Sequence, residues 1–174
     1  MGAIKARGFG ATSDGEHFSL YTLTNELGMS AGITDLGGGI VSLCVPDKDG
    51  RPVDIELGYD SAAGYAMNRP NLGAPTAADE GFVDALRHVA RVRGDKTGIV
   101  MDVATDLPGM QLYTGSHVGS EQGKGGSVTV DHGAFCLEAQ FFPDAVNHPE
   151  FAQPVFGPEK PYRSRTIYSF SVEA

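Results

Sequence analysis

The sequence predicts an all-β protein, an antiparallel sandwich or barrel-like sheet. Three observations carry this: short apolar runs recur at regular spacing, many alternate with a period of two, and Gly, Pro and Asp turns separate them. At 174 residues the chain suits one domain, taken as 1–174, and can bury roughly 70% of its unfolded surface.

In chain order, Phe18-Ser-Leu-Tyr-Thr-Leu-Thr24 alternates and stops at the turn Asn25-Glu26-Leu27-Gly28, after which 29–34 reads as a second strand closing a hairpin. Asp35-Leu36-Gly37-Gly38-Gly39 breaks the pattern before Ile40-Val-Ser-Leu-Cys-Val45. Pro46-Asp47-Lys48-Asp49-Gly50 then turns the chain into Val53-Asp-Ile-Glu-Leu57, and the Asp-Gly pair between apolar runs is a hairpin signal. From 58 to 81, Pro70, Pro75 and scattered Gly and Ala leave no sustained periodicity, so 66–81 is read as an irregular junction. Residues 82–93 fit either template, with Phe82, Leu86 and Val89 at helical spacing and Val83, Ala85, Val89 and Arg91 alternating; the neighbouring segments favour strand. Segments 98–105, 110–114, 127–130, 134–142 and 162–172 all read as strands.

The stretch with the most chemistry is Phe135-Cys-Leu-Glu-Ala-Gln-Phe-Phe-Pro143. A period of two puts Phe135, Leu137, Ala139 and Phe141 on one face, read as core, and Cys136, Glu138, Gln140 and Phe142 on the other. A carboxylate flanked by apolar neighbours is expected to be desolvated, which favours proton exchange near neutrality, so Glu138 is the candidate base and Gln140 its hydrogen-bonding neighbour. The competing reading is a Glu on a solvated face or in a structural ion pair.

Composition excludes several functions. Thirteen basic against twenty-two acidic residues give a net charge of −9 without a Lys/Arg cluster, which argues against nucleic acid as a partner. Cys44 and Cys136 lie in apolar strand-like runs and are expected to be small buried hydrophobes rather than a disulfide. No apolar stretch approaches about 18 residues, and the charged N-terminal residues lead into no signal-like apolar region, so a soluble cytoplasmic protein without membrane contact is expected. Gly37-Gly38-Gly39 lacks dinucleotide-binding spacing, Gly123-Lys124-Gly125-Gly126 lacks the Ser or Thr of a phosphate loop, and Asp47-Lys48-Asp49-Gly50 lacks the twelfth-position Glu of a calcium loop. His17, His88, His117, His132 and His148 share no metal-ligand spacing, so no metal and no cofactor is expected. No nucleophile elbow is present. What remains is a carboxylate with nearby His and Asp, a set for moving protons.

Longer strings carry more. Tyr21-Thr-Leu-Thr-Asn25, Val41-Ser-Leu-Cys-Val-Pro-Asp-Lys-Asp-Gly50 and Leu57-Gly-Tyr-Asp60 come first; Asp106-Leu-Pro-Gly-Met-Gln-Leu-Tyr-Thr-Gly115, Phe135-Cys-Leu-Glu-Ala-Gln140, Phe142-Pro-Asp144 and Asn147-His-Pro149 follow in the same order as in one known family. The chain resembles the aldose 1-epimerase (galactose mutarotase) family. The resemblance implies an antiparallel β-sandwich forming part of a mutarotase-like supersandwich, a sugar-like small-molecule ligand, and Glu138 on the family's base, which removes the anomeric hydroxyl proton while a His protonates the ring oxygen. Asp79-Glu80-Gly81-Phe82 resembles a family segment with a substrate-binding Asp, placing Asp79 there, although Glu80 stands where the family has His. The family's central segment, with its binding Arg and both active-site His motifs, has no counterpart here.

That departure leaves the proton donor open. His148, close in sequence to Glu138, is the first candidate, followed by His132 and His117; Asp79, Gln140 and His132 are the expected substrate contacts. Strands that lose their covering must close differently or pair with another copy, so a homo-oligomer is expected. The resulting expectation is a mutarotase-like isomerase interconverting sugar anomers by general acid/base proton transfer. The alternatives are a non-catalytic carbohydrate-binding or interaction module, or a repurposed proton-transfer isomerase or cyclase acting on a non-sugar metabolite.

Overall fold

Side-chain-capped turns set the first half of the chain. In the computed structural model, which describes residues 2–67 and 86–173, Asn25 Oδ1 accepts from the amides of Leu27 (3.0 Å) and Met29 (2.9 Å), and Gly28 supplies the φ of 84° that reverses the chain. Asp47 Oδ1 does the same for the amides of Asp49 and Arg51 at 2.9 and 2.8 Å, so the acidic segment 47–50 is a hairpin turn. Strands β1 (Ala3–Ala11), β2 (His17–Thr24), β3 (Ser30–Thr34), β4 (Ile40–Pro46) and β5 (Pro52–Asp54) therefore form a five-stranded antiparallel sheet in chain order.

A short helix α1 (Ala62–Ala66) follows, with Ser61 as its N-cap. Five residues are too few to hold a helix by propensity. Packing holds it instead: Ala62 is buried with Phe9, Leu20 and Val41, and Phe18, Leu36 and Tyr65 cover that cluster. Gly58 is required at its position because a Cβ there would lie 2.2 Å from Tyr65 Oη and 3.3 Å from the Val41 carbonyl oxygen.

The second half contains β6 (Arg87–Arg93), β7 (Ile99–Thr105) and β10 (Thr166–Val172) as a sheet ordered β10-β7-β6, and β8 (Gly109–Tyr113) with β9 (Cys136–Gln140) as a two-stranded ribbon. As the central strand of its sheet, β7 buries Ile99, Val100, Val103 and Thr105. The fold is all-β and antiparallel, as the alternation and turns predict. Among the described residues no helix is long and apolar enough to cross a membrane.

Several local readings change. β1 is a strand that alternation does not announce, because most of it is exposed and a bulge at Gly8/Gly10 shifts its register against β2. Residues 127–130 form a loop with a single bridge, Gln122 to Val128, rather than a strand. Residues 87–93 are strand, which resolves the described part of the ambiguous segment. The thiols are not buried hydrophobes: Cys44 is half-buried and Cys136 exposed. The expected core face of β9 is only half-buried at Leu137, Ala139 and Phe141, and Phe135 is 44% exposed.

The two halves meet at a 3-10 turn, Lys124–Gly126. Lys124 Nζ donates to Asp54 Oδ2 (2.7 Å) and to the Val41 carbonyl, its amide donates to the Gly58 carbonyl (2.9 Å), and the Gly125 amide donates to Asp60 Oδ2 (2.8 Å). The glycine-rich segment is a tether rather than a phosphate cradle. Replacing Lys124 by Met keeps the stem but leaves Asp54 and Val41 without their cation, so Lys124→Met is expected to lower stability by about 2 kcal/mol. Urea unfolding of both proteins checks this; an unchanged midpoint would mean the tether contributes nothing.

Candidate functional site

The β8/β9 ribbon places Glu138 directly across from Gln111, and Gln140 across from Gly109. Cross-strand partners share a face, and Gln140 Nε2 approaches Gln111 Oε1 at 3.5 Å, so one face presents a carboxylate between two amides. Glu138 is exposed, not desolvated as its apolar sequence neighbours suggest, because few side chains cover this face of the ribbon. Nothing local in the sequence marks Gln111; strand pairing brings it to Glu138.

The histidines are distributed along the ribbon. His132, at a left-handed φ of 59°, has its Nδ1 3.0 Å from the Thr114 carbonyl, at the end where Tyr113 pairs with Cys136. His148 follows a 3-10 turn (Ala145–Asn147) beyond the Gln140 end, its ring 3.3 Å from Glu150 Oε1 and 3.6 Å from Asp144 Oδ2 and tilted on Phe151. Five strand residues separate those ends, roughly 13 Å. His117 has its Nδ1 3.0 Å from Ser116 Oγ. Asp79 lies outside the described residues. Among the described residues no three His, Cys, Asp or Glu side chains are placed to hold a metal ion.

A second group of ionisable residues centres on Glu56. Glu56, just past β5, is half-buried, and burial above all pushes its carboxyl up to about 7; the Asp54 charge adds to this and the Lys124 charge opposes it. The same negative charge acts on three neighbours. Tyr65 is pushed up to about 12, mainly by burial, with Glu56 and Asp54 contributing. The Cys136 thiol is raised by partial desolvation, then by Glu138 and Glu56. The Tyr168 hydroxyl, which donates to the Leu137 carbonyl at 3.3 Å, is raised by burial and then by Cys136 and Glu56. Asp54 and Glu56 alternate on one face of their strand-like run, a signal present in the sequence, but nothing local says that Lys124 meets them.

With this geometry in place, similarity to known proteins can be assigned to parts of the fold. A sequence profile of the aldose 1-epimerase family matches residues 75–169, more than half of the chain, including β6 to β9. The chain belongs to the aldose 1-epimerase family. It is 44% identical over 84 residues to the galactose mutarotase of Homo sapiens and 43% identical over 84 residues to that of Rattus norvegicus, each match covering 48% of this chain. It is 33% identical over 92 residues, 52% of this chain, to the aldose 1-epimerase of Escherichia coli (strain K12). The matched part spans about a quarter of the length of these relatives: 25% of the two mutarotases and 27% of the bacterial epimerase. The family match thus includes the ribbon that carries Glu138, Gln140 and Gln111, while Asp54 and Glu56 lie outside the matched residues.

The position of Glu56 has a consequence for stability. Its folded value of about 7 lies above the 4.5 of an ordinary Glu, so folding favours the protonated form. Its contribution is fully present below about pH 4.5 and is lost as pH rises through about 7, with ionisation costing on the order of 3 kcal/mol. Glu56→Gln is therefore expected to be more stable than wild type by about 2–3 kcal/mol at pH 8 and by less than about 1 kcal/mol at pH 5. Denaturant melts at the two pH values test this, and an equal difference at both would contradict it.

Proposed function

We propose that this chain is a mutarotase-like isomerase that interconverts sugar anomers by general acid/base proton transfer, with Glu138 as the base. The observation that carries the reading is the placement of Glu138 within the family-matched ribbon, solvent-accessible and set between Gln111 and Gln140. The carboxylate would take the anomeric hydroxyl proton as the bond from C1 to the ring oxygen opens; the aldehyde carbon then rotates, and reclosure returns the proton on the other face. Amides on the same face are suited to holding sugar hydroxyls, and Gln140, His132 and Asp79 are assigned to that role. A separate group must protonate the ring oxygen, and among the histidines His148, at the Gln140 end of the ribbon, is the first candidate. Galactose is the default substrate because the mammalian relatives are named galactose mutarotases.

Glu138→Gln tests the reading. Anomerisation of α-D-galactose and α-D-glucose, followed by polarimetry or NMR above the spontaneous rate, is expected to fall by about 10²–10⁴ in the variant. The exposure of Glu138 favours a second reading, a non-catalytic carbohydrate-binding module. In that case sugar binds wild type and Glu138→Gln alike, and neither accelerates anomerisation.

We further infer that the chain self-associates into a homo-oligomer. Ile4, Leu23 and Leu27 are 70, 40 and 82% exposed and line an apolar groove of about 670 Å3 beside edge strand β1. Sedimentation velocity at tens of micromolar is expected to give a species larger than 18.3 kDa; a monomer would overturn this.

A further inference from the structure

The Gln140 end of the Glu138 face is closed by an aromatic ring. β9 stops at Gln140, so alternation along the strand does not reach Phe142, and a contact across the ribbon decides where its ring lies. A Cβ placed on Gly109, the partner of Gln140, would meet Cδ1 and Cε1 of Phe142 at 3.1 Å each. Cross-strand partners share a face, as do residues two apart on a strand, so Gly109, Gln111, Glu138 and Gln140 all look the same way. The Phe142 ring therefore lies on that face, in the place a side chain at position 109 would fill. Phe151 braces it, with ring centroids 5.0 Å apart and planes at 51°, and His148 packs on Phe151 in turn at 5.1 Å. Even so, Phe142 is 41% exposed. The pair formed by Gly109 and Gln140 lies two residues, roughly 7 Å, from the pair formed by Gln111 and Glu138. One pyranose with its hydroxyls can bridge that spacing.

We propose that Phe142 is the residue that selects the sugar, its ring carrying the C3, C4 and C5 hydrogens of an aldohexopyranose whose C1 end lies at Glu138. This role rests on reading the Glu138 face as a sugar site. The face of an aromatic ring is negative, and C–H groups next to oxygen carry partial positive charge, so the two attract while both leave water. Sugar sites of this kind need a few polar groups to hold hydroxyls and an apolar surface for the C–H groups. Glu138, Gln111 and Gln140 supply the first, and Phe142 supplies the second. C1 and C4 stand at opposite ends of a pyranose, so a C1 end at Glu138 puts the C4 end over Phe142. In galactopyranose the C3, C4 and C5 hydrogens form one continuous apolar patch on one face. Glucopyranose turns its C4 hydrogen to the other face and breaks the patch. The ring thus favours galactose over its C4 epimer.

The experiment uses the intact chain with two variants. The sequence contains no Trp, so Phe142→Trp places a single indole at the proposed contact while keeping an aromatic face. Galactose is expected to change its emission saturably, and glucose only at several-fold higher concentration. Phe142→Leu keeps apolar bulk but loses the ring face. In it, the KM for galactose anomerisation is expected to rise about tenfold with kcat moving far less, and the KM for glucose to rise about twofold. Should Phe142→Leu fail to fold, the indole titration decides alone. An unchanged galactose KM in folded Phe142→Leu, or indole emission blind to both sugars, overturns the role of Phe142 and leaves the isomerase reading standing. Equal losses for the two sugars overturn the placement of the C4 end over the ring. If calorimetry shows that wild type binds galactose with an affinity that Phe142→Leu weakens, yet anomerisation is not accelerated, the isomerase reading falls and the contact stands. A folded wild type that binds neither sugar overturns both.

Discussion

One cation anchors the contact between the two halves at the Lys124–Gly126 turn. Lys124 comes seventy residues after Asp54 in sequence, yet its ammonium group binds that carboxylate and the Val41 carbonyl, while backbone bonds from the same turn reach Gly58 and Asp60. The turn can make these contacts because Gly125 and Gly126 take φ values of 58° and 77°. The amino-terminal sheet is thereby clamped to the loop that leads into β9. The clamp also shapes the electrostatics around it. A single cation serves two carboxylates, and Asp54 has it together with two backbone amides. Glu56 is left half-buried with partial compensation, which is why burial outweighs the Lys124 charge there.

The parts of the fold visible in the sequence are those whose signal is local. The β2–β3 and β4–β5 hairpins follow from alternation plus Asn25, Gly28 and Asp47, residues that close a turn with their own side chains or φ angles. β1 carries no such signal, because it is largely exposed and bulged, so no face of it is consistently apolar. Residues 127–130 show the opposite error. Ser127-Val-Thr-Val130 alternates like a strand, but Val128 and Val130 are 63 and 56% exposed, and Thr129 Oγ1 ties the segment to the Gly119 and Glu121 carbonyls instead of a ladder. Helix α1 depends on tertiary packing of Ala62 and Tyr65, which propensity cannot reveal.

The site divides along the same line. That Glu138 and Gln140 share a face follows from strand geometry alone, and the ribbon places them so. Their environment does not follow, because exposure depends on which other segments pack over a strand, and here little covers Glu138. Sequence proximity misleads for the histidines for a related reason. An extended strand carries residues apart at about 3.3 Å each, so His132 and His148 flank β9 in sequence and mark its opposite ends in space. Gln111 meets Glu138 through strand pairing, and Lys124 meets Asp54 through the clamp, both non-local.

Acid/base isomerisation needs two groups that hold opposite protonation states at one pH, and a protein creates that difference by giving chemically similar groups unlike surroundings. The two carboxyl groups that act on Cys136 have unlike surroundings. Glu138 stands on an exposed ribbon face, across from Gln111 and beside Gln140. Glu56 lies half-buried behind the Asp54–Lys124 pair, where the desolvated wall favours the acid. The clamp that joins the two halves therefore also sets the second carboxyl apart from the first. The raised Glu56 carboxyl is thus a consequence of the same clamp: Lys124 is already engaged by its neighbour Asp54, and burial outweighs the charge left to offset it.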